Sequence, residues 1–244
     1  MTVAGTAGAV YAYKKWQSKW LYVPLIYFTL MELLQAVSYP VVDQCWLPAN
    51  EIVTVLAYMH IAFQPIFFNL IMMSFIPERI QKQVFPWVLS ICFASSVIFL
   101  LRLYPFSWAS MCDLWGYLCG RNLCTVSGNW HIAWEVPFNG IFKWIPVYIF
   151  PVLILPFLYG SWKAAGFSFL VWPVLARLLT DNPNEAPAVW CLFSIGLLLI
   201  VMNTRLRESL MVRDFYWWKK EPKVKAMVDE KPVKRTRAKT TKKK

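Results

Sequence analysis

The sequence predicts an all-α, polytopic transmembrane helix bundle of six full spans plus a short seventh N-terminal helix, with a Cys-rich outer loop. Three observations predict it. Hydrophobic residues make up 58% of the 244 and aromatic residues 17%, more than a soluble globular domain carries. Apolar runs long enough to cross a bilayer recur along the chain. Tryptophans 20, 46, 87, 108, 144, 162 and 190 fall near the ends of those runs, where amphipathic rings settle at a membrane–water interface.

The elements follow in order. The opening "MTVAGTAGAVYAY" is apolar and rich in small residues but short for a span, and it lacks the basic start of a signal peptide. It reads as the seventh helix, either the remaining half of a longer one or a short packed segment. A crossing helix needs about 20 apolar residues at roughly 1.5 Å each. Six stretches qualify: 20–41, 52–76, 84–105, 144–160, 164–180 and 187–204. Pro65, Pro151, Pro156 and Pro173 lie inside them and predict kinks, because neighbouring groups in a bundle can satisfy the carbonyls a proline frees.

Lys and Arg in the short connections set the orientation. Lys14, Lys15 and Lys19, then Arg79 and Lys82, then Lys163 share one side with the C-terminal tail, which is therefore expected in the cytoplasm. The loops around Asp43 and from Asp181 to Glu185 have no Lys or Arg, and the long connection 106–143 has Arg121 and Lys143. Arg102 and Arg177 stand near outer helix ends, from which long side chains can snorkel to the surface. With seven helices the N-terminus lies outside.

The net charge of +12 belongs to the tail. From Arg205 onward there are 15 Lys/Arg and 5 Asp/Glu, leaving 10 and 8 of the chain's 25 and 13 for everything before it. A nucleic-acid reader would need a folded basic patch, whereas this run follows an apolar span directly. We therefore expect no nucleic-acid partner, but contact with the lipid bilayer and with anionic lipids of the cytoplasmic leaflet. Three units result: a bundle over 1–204, a juxtamembrane amphipathic helix over 205–220 ("RLRESLMVRDFYWWKK"), and a disordered polybasic tail over 221–244.

Cys45, Cys112, Cys119 and Cys124 fall outside in this topology, while Cys92 and Cys191 fall within spans. Two disulfides are expected in any of three pairings, since an oxidising exterior permits them. The alternative, a metal knuckle in "CDLWGYLCGRNLC", lacks the CxxC pairs of zinc sites.

Polar residues inside a span are functional candidates by default, although some only hold helices together. Glu32 and Gln35 share a helix face. Glu32 lies roughly 14 Å below the outer end of its span, and His60 lies at a similar depth on the next, antiparallel helix. The two are expected to meet as an ion pair, a proton relay or the start of a metal site. Gln64 and Asn69 continue deeper on the His60 helix.

"SGNWHIAWEVPFNGIFKW" is broken by Pro137 and Gly140 and reads as an interfacial or re-entrant segment, in which a helical first turn would align His131 with Glu135. The candidate polar pocket is thus Glu32, Gln35, His60, Gln64, Asn69, His131 and Glu135. A candidate metal set, for Zn or another transition metal, is His60, His131 and Glu135, because imidazole and carboxylate suit such ions. A bis-histidine haem would need both histidines at one depth on facing helices, which the outer position of His131 opposes. The loop "TDNPNEAPAVWC" groups Asp181, Asn184 and Glu185 beside the last span, where it could close over the same cavity and bind a cation, although the turn chemistry of Asn-Pro and Asp-Asn explains it without function.

The strings "LMELLQAVSY", "HIAFQPIFFN", "SGNWHIAWEVPFNGI", "LYGSW" and "TDNPNEAPAVWCL" resemble a family of uncharacterised multi-span integral membrane proteins classed as a domain of unknown function, over about residues 9 to 213. The resemblance implies a multi-span fold and a longer N-terminal apolar segment, and it implies no activity. Retinal proteins fit less well, for want of a lysine in 187–204, as do three-histidine membrane hydrolases, since this chain has two histidines.

Three functions are therefore expected in this order: ligand binding or sensing at an outward-facing polar pocket around Glu32, His60 and Glu135; metal-dependent lipid hydrolysis with Glu135 or Glu32 as base; and proton-coupled transport through Glu32 and His60. Whether the chain is an enzyme stays open at this point.

Overall fold

The computed structural model describes residues 2–16, 19–112, 117–141, 147–201, 204–216 and 218. The tail at 221–244, expected to be disordered, lies outside the described residues, as do Lys143 and Trp144.

The chain opens with α1 (Thr2–Trp16), which packs against α2 (Lys19–Ser38). A short 3-10 turn, Tyr39–Val41, closes α2. α3 (Pro48–Met73) starts with Pro48, whose missing N–H is harmless in a first turn, and has Glu51 near that positive end. α4 (Glu78–Leu101) follows after a tight turn. Lys19–Val41, Pro48–Met73 and Glu78–Leu101 are each long and apolar enough to cross a membrane.

The second half departs from the six expected spans. In place of 144–160 stands a π-helical turn, Phe150–Ile154, running into α5 (Leu155–Leu158). In place of 164–180, α6 (Trp162–Phe169) passes through a π-helical segment, Leu170–Val174, into α7 (Leu175–Leu179). α8 (Ala186–Val201) has 16 residues. Six full spans are not what forms among the described residues. Pro151, Pro156 and Pro173 sit in these interrupted elements, where each removes a donor from the helical ladder.

Freed or loosened carbonyls are picked up by polar side chains of the same helix and of neighbouring segments. Asn69 Nδ2 donates to Pro65 O at 2.9 Å and to Pro151 O at 2.8 Å, while its Oδ1 accepts from the Tyr159 hydroxyl at 3.0 Å. Ser95 Oγ donates to Val147 O. Ser161 Oγ donates to Met72 O at 2.8 Å. Asn69 is therefore a clamp between α3 and the π-helical turn, with its amide fully engaged.

The loop expected to be interfacial or partly helical contains an antiparallel hairpin, so the fold is mostly helical rather than all-α. β1 (Cys124–Ser127) pairs with β2 (Ile132–Glu135), Cys124 opposite Glu135 and Ser127 opposite Ile132. Thr125, Val126, Ile132 and Trp134 are β-branched or aromatic, and Ser-Gly-Asn lies between the runs. The sequence thus contains a strand–turn–strand signal that the apolar setting obscures.

The hairpin caps one end of the bundle. Asn50 receives the Thr125 N–H on Oδ1 at 2.8 Å and donates to Thr125 O at 2.8 Å, and the Thr54 and Thr125 hydroxyls meet at 2.8 Å. Cys45 is bonded to Cys124 and Cys112 to Cys119, with Cα–Cα separations of 5.2 and 6.0 Å, so two disulfides form from the four expected cysteines. Trp134 and Val136 of the cap share a core with Tyr58, Ile61 and Phe99 of α3 and α4.

α9 (Thr204–Leu210) supplies only the first part of the helix expected over 205–220. Met211–Phe215 is irregular. Val212 N–H donates to Phe75 O at 2.9 Å and Trp218 Nε1–H to Tyr159 O at 3.3 Å, so this segment lies against the α3–α4 turn and α5.

Candidate functional site

A buried acid that the sequence attributes to turn chemistry builds the site. Glu185, at the entrance to α8, is fully buried, and its carboxylate gathers the backbone of the hairpin turn. Oε2 accepts from Asn129 N–H at 2.9 Å, and Oε1 accepts from Trp130 N–H at 2.6 Å and from His131 N–H. The Thr180 hydroxyl donates to Oε2 at 2.5 Å. Burial alone would raise its pKa, but the Thr180 hydroxyl and the three backbone donors outweigh it and hold the carboxyl below the usual range.

The approach requires glycine at position 128, because a Cβ there would lie 2.5 Å from the Glu185 carboxyl carbon and 2.5 Å from His131 O.

Glu185 thereby fixes His131, whose ring bridges to α2. His131 Nε2 lies 2.8 Å from Gln35 Oε1, and Nδ1 lies 2.7 Å from the Tyr39 hydroxyl. The Gln35 amide is oriented by its own Nε2, which donates to Ala188 O at 3.4 Å. Gln35 Oε1 can only accept, so neutral His131 has its proton on Nε2 and takes the Tyr39 O–H on Nδ1. Burial moves the imidazole pKa down, and the Glu185 charge moves it partly back up.

Glu32 lies one turn from Gln35 on the buried face of α2. It is 5% exposed, and its Oε1 has no hydrogen-bond partner among the described residues. An exposed Tyr39, a half-buried His131 and a buried Gln35 thus lead from the surface towards a buried carboxyl.

The remaining sequence candidates lie elsewhere. His60 does not hydrogen-bond Glu32. Its ring stacks on Tyr27 at 3.8 Å and its backbone O accepts the Tyr27 hydroxyl, leaving a buried Nε2 unpartnered among the described residues. Gln64 Oε1 accepts from the Tyr148 hydroxyl at 2.5 Å, and its Nε2 faces Cys191 Sγ at a long 3.9 Å.

Glu135 ends β2 over Gly120, and an extended chain separates it from His131 by about 13 Å at ~3.3 Å per residue. The helical His131–Glu135 alignment is therefore corrected, and among the described residues no three His, Cys, Asp or Glu side chains group as metal ligands, the set His60, His131 and Glu135 included.

Of the site's members, Tyr39 is not among the sequence candidates, and Glu185 is named there only within a loop that turn chemistry explains. Tyr39 has a legible signal, since it follows Gln35 by four residues. Glu185 has only its place at the start of an apolar helix.

A family model described as a family of unknown function (DUF5765) matches residues 1–211. No curated protein and no solved structure matches the chain.

Proposed function

This chain belongs to that family of unknown function, DUF5765, and we propose that it is a multi-pass membrane protein that binds or senses a small polar ligand at Glu32, Gln35, Tyr39 and His131. The observation that carries the reading is the buried Glu32 oxygen with no partner among the described residues, because an intramembrane carboxyl left unsatisfied is costly unless something completes it. The ligand best suited to that oxygen is a hydrogen-bond donor, above all an amine cation, which would form a charge-assisted bond. Tyr39 and His131 stand at the entrance, and the Tyr39 hydroxyl can reverse its bond when His131 gains a second proton.

The supporting topology is the sequence's own: lysine and arginine asymmetry favours a cytoplasmic C-terminus, and the basic tail suits anionic lipids of that leaflet rather than nucleic acid. The hairpin end then faces outward.

The test is a thermal-shift screen of the purified full chain against small amines and uncharged polar compounds, run beside Glu32→Gln. A ligand that binds only the folded state raises the transition temperature. The reading expects amines to raise it in the wild type and not in Glu32→Gln. Equal shifts in both proteins would overturn it.

A further inference from the structure

A cavity lies apart from Glu32, Gln35, Tyr39 and His131, at the same end of the bundle. It has a volume of about 420 Å³ and sits between the end of α4, the loops on either side of the hairpin and the interrupted helices. Its walls are mostly apolar, with Ile61, Phe99, Phe138 and Pro173 among them. Two arginines, Arg102 and Arg177, belong to the same lining, and no acid does among the described lining residues. Trp190 also lines it, and its buried Nε1–H has no acceptor among the described residues.

The arginines are positioned differently. Arg102 caps α4, and its Nε donates to Ile141 O at 3.2 Å. Arg177 is exposed at the end of α7, where it donates to Asp181 O at 2.9 Å and faces the exposed Asp181 carboxylate at 3.7 Å. So exposed a pair contributes little and yields readily to a better anion. Guanidinium groups are suited to phosphate and carboxylate through paired N–H donors.

We propose that this cavity binds a single-chain anionic lipid, its acyl chain along the apolar wall and its phosphate or carboxylate head against Arg102 and Arg177. The volume lies at the small end of the ~300–1,000 Å³ range of ligand cavities, which suits one chain rather than two. The π-helical segment with Pro173 forms part of the wall, so the cavity borders an interrupted helix through which a lipid can enter sideways.

Native mass spectrometry of the full chain in an uncharged maltoside detergent tests this, with lysophosphatidic acid and the monoacylglycerol of the same chain length as probes. The expected result is one bound lysophosphatidic acid per chain and at least roughly tenfold weaker monoacylglycerol binding, a difference of about 1.4 kcal/mol. Arg177→Gln should reduce that preference roughly fivefold or more while leaving monoacylglycerol binding unchanged. Ala176→Phe, which fills the wall from a buried position, should weaken both lipids. Equal binding of the two lipids, or an undiminished preference in Arg177→Gln, would overturn the proposal. The Arg177 arm does not depend on Ala176→Phe folding.

Discussion

His131 Nε2 and Gln35 Oε1 are 2.8 Å apart, although 96 residues separate them in the chain. That bond joins the hairpin cap to the polar face of α2. Its geometry is set from below by Glu185, which holds the His131 backbone, and by Ala188, which orients the Gln35 amide.

Removing the Gln35 acceptor by Gln35→Leu should leave the half-buried His131 Nε2–H without a partner and cost about 1–3 kcal/mol. His131→Leu should cost a similar amount, and the double variant less than the sum, since the two act on one bond. A thermal or denaturant double-mutant cycle measures the coupling. Strict additivity would mean that the contact contributes nothing.

Glu185→Gln should be more damaging than its loop position suggests. An amide places an NH₂ where backbone donors converge, so charge-assisted bonds are lost at about 1.5–3 kcal/mol each, partly offset by rearrangement. The exposed neighbour Asp181→Asn should stay within about 0.5 kcal/mol. Comparing the two transition temperatures separates the nest from general loop effects.

Acid should destabilise the cap in two stages. His131 has a folded pKa below its ordinary 6.5, so the unfolded chain binds more protons and stability declines as pH falls through and below 6.5. Glu185 has a folded pKa below its ordinary 4.5, so its contribution is present above 4.5 and is lost as pH falls through the lower folded value. The difference in transition temperature between wild type and His131→Gln, followed from pH 8 to 4, should change as pH falls below 6.5, because only the wild type has the His131 stage.

Reduction should loosen the same end. The Cys45–Cys124 bond closes a separation of 79 residues between the α2–α3 turn and β1, and removing a bond of this kind typically costs about 2–5 kcal/mol. Cys45→Ser/Cys124→Ser should lower the transition temperature more than Cys112→Ser/Cys119→Ser, whose separation is 7.

Much of this arrangement is legible in the sequence, for identifiable reasons. Long apolar runs define α2, α3 and α4 because length and hydropathy are local properties. Buried Glu32 and Gln35 are legible because polar residues in such runs are conspicuous. The pairing of Glu32 with His60 is not realised. Depth along two helices can be counted, but rotation about each axis is set by side-chain packing, here the Tyr27 ring stacked on His60 and Phe67.

The strands are hidden because an apolar alternation inside a hydrophobic chain resembles a helix segment, and only Ser127, Gly128 and Asn129 distinguish it. Glu185 is invisible as a hub because its partners are backbone N–H groups, which have no sequence signature.

The most direct measurement of the central claim is calorimetric titration of the full chain with the best amine from the screen, in wild type and Glu32→Gln. A buried carboxylate that completes its hydrogen bonding with the ligand predicts one site per chain, and at least roughly tenfold weaker affinity when the charge is removed, about 1.4 kcal/mol. Equal affinity and stoichiometry in the two proteins would contradict the assignment of Glu32 to the binding site.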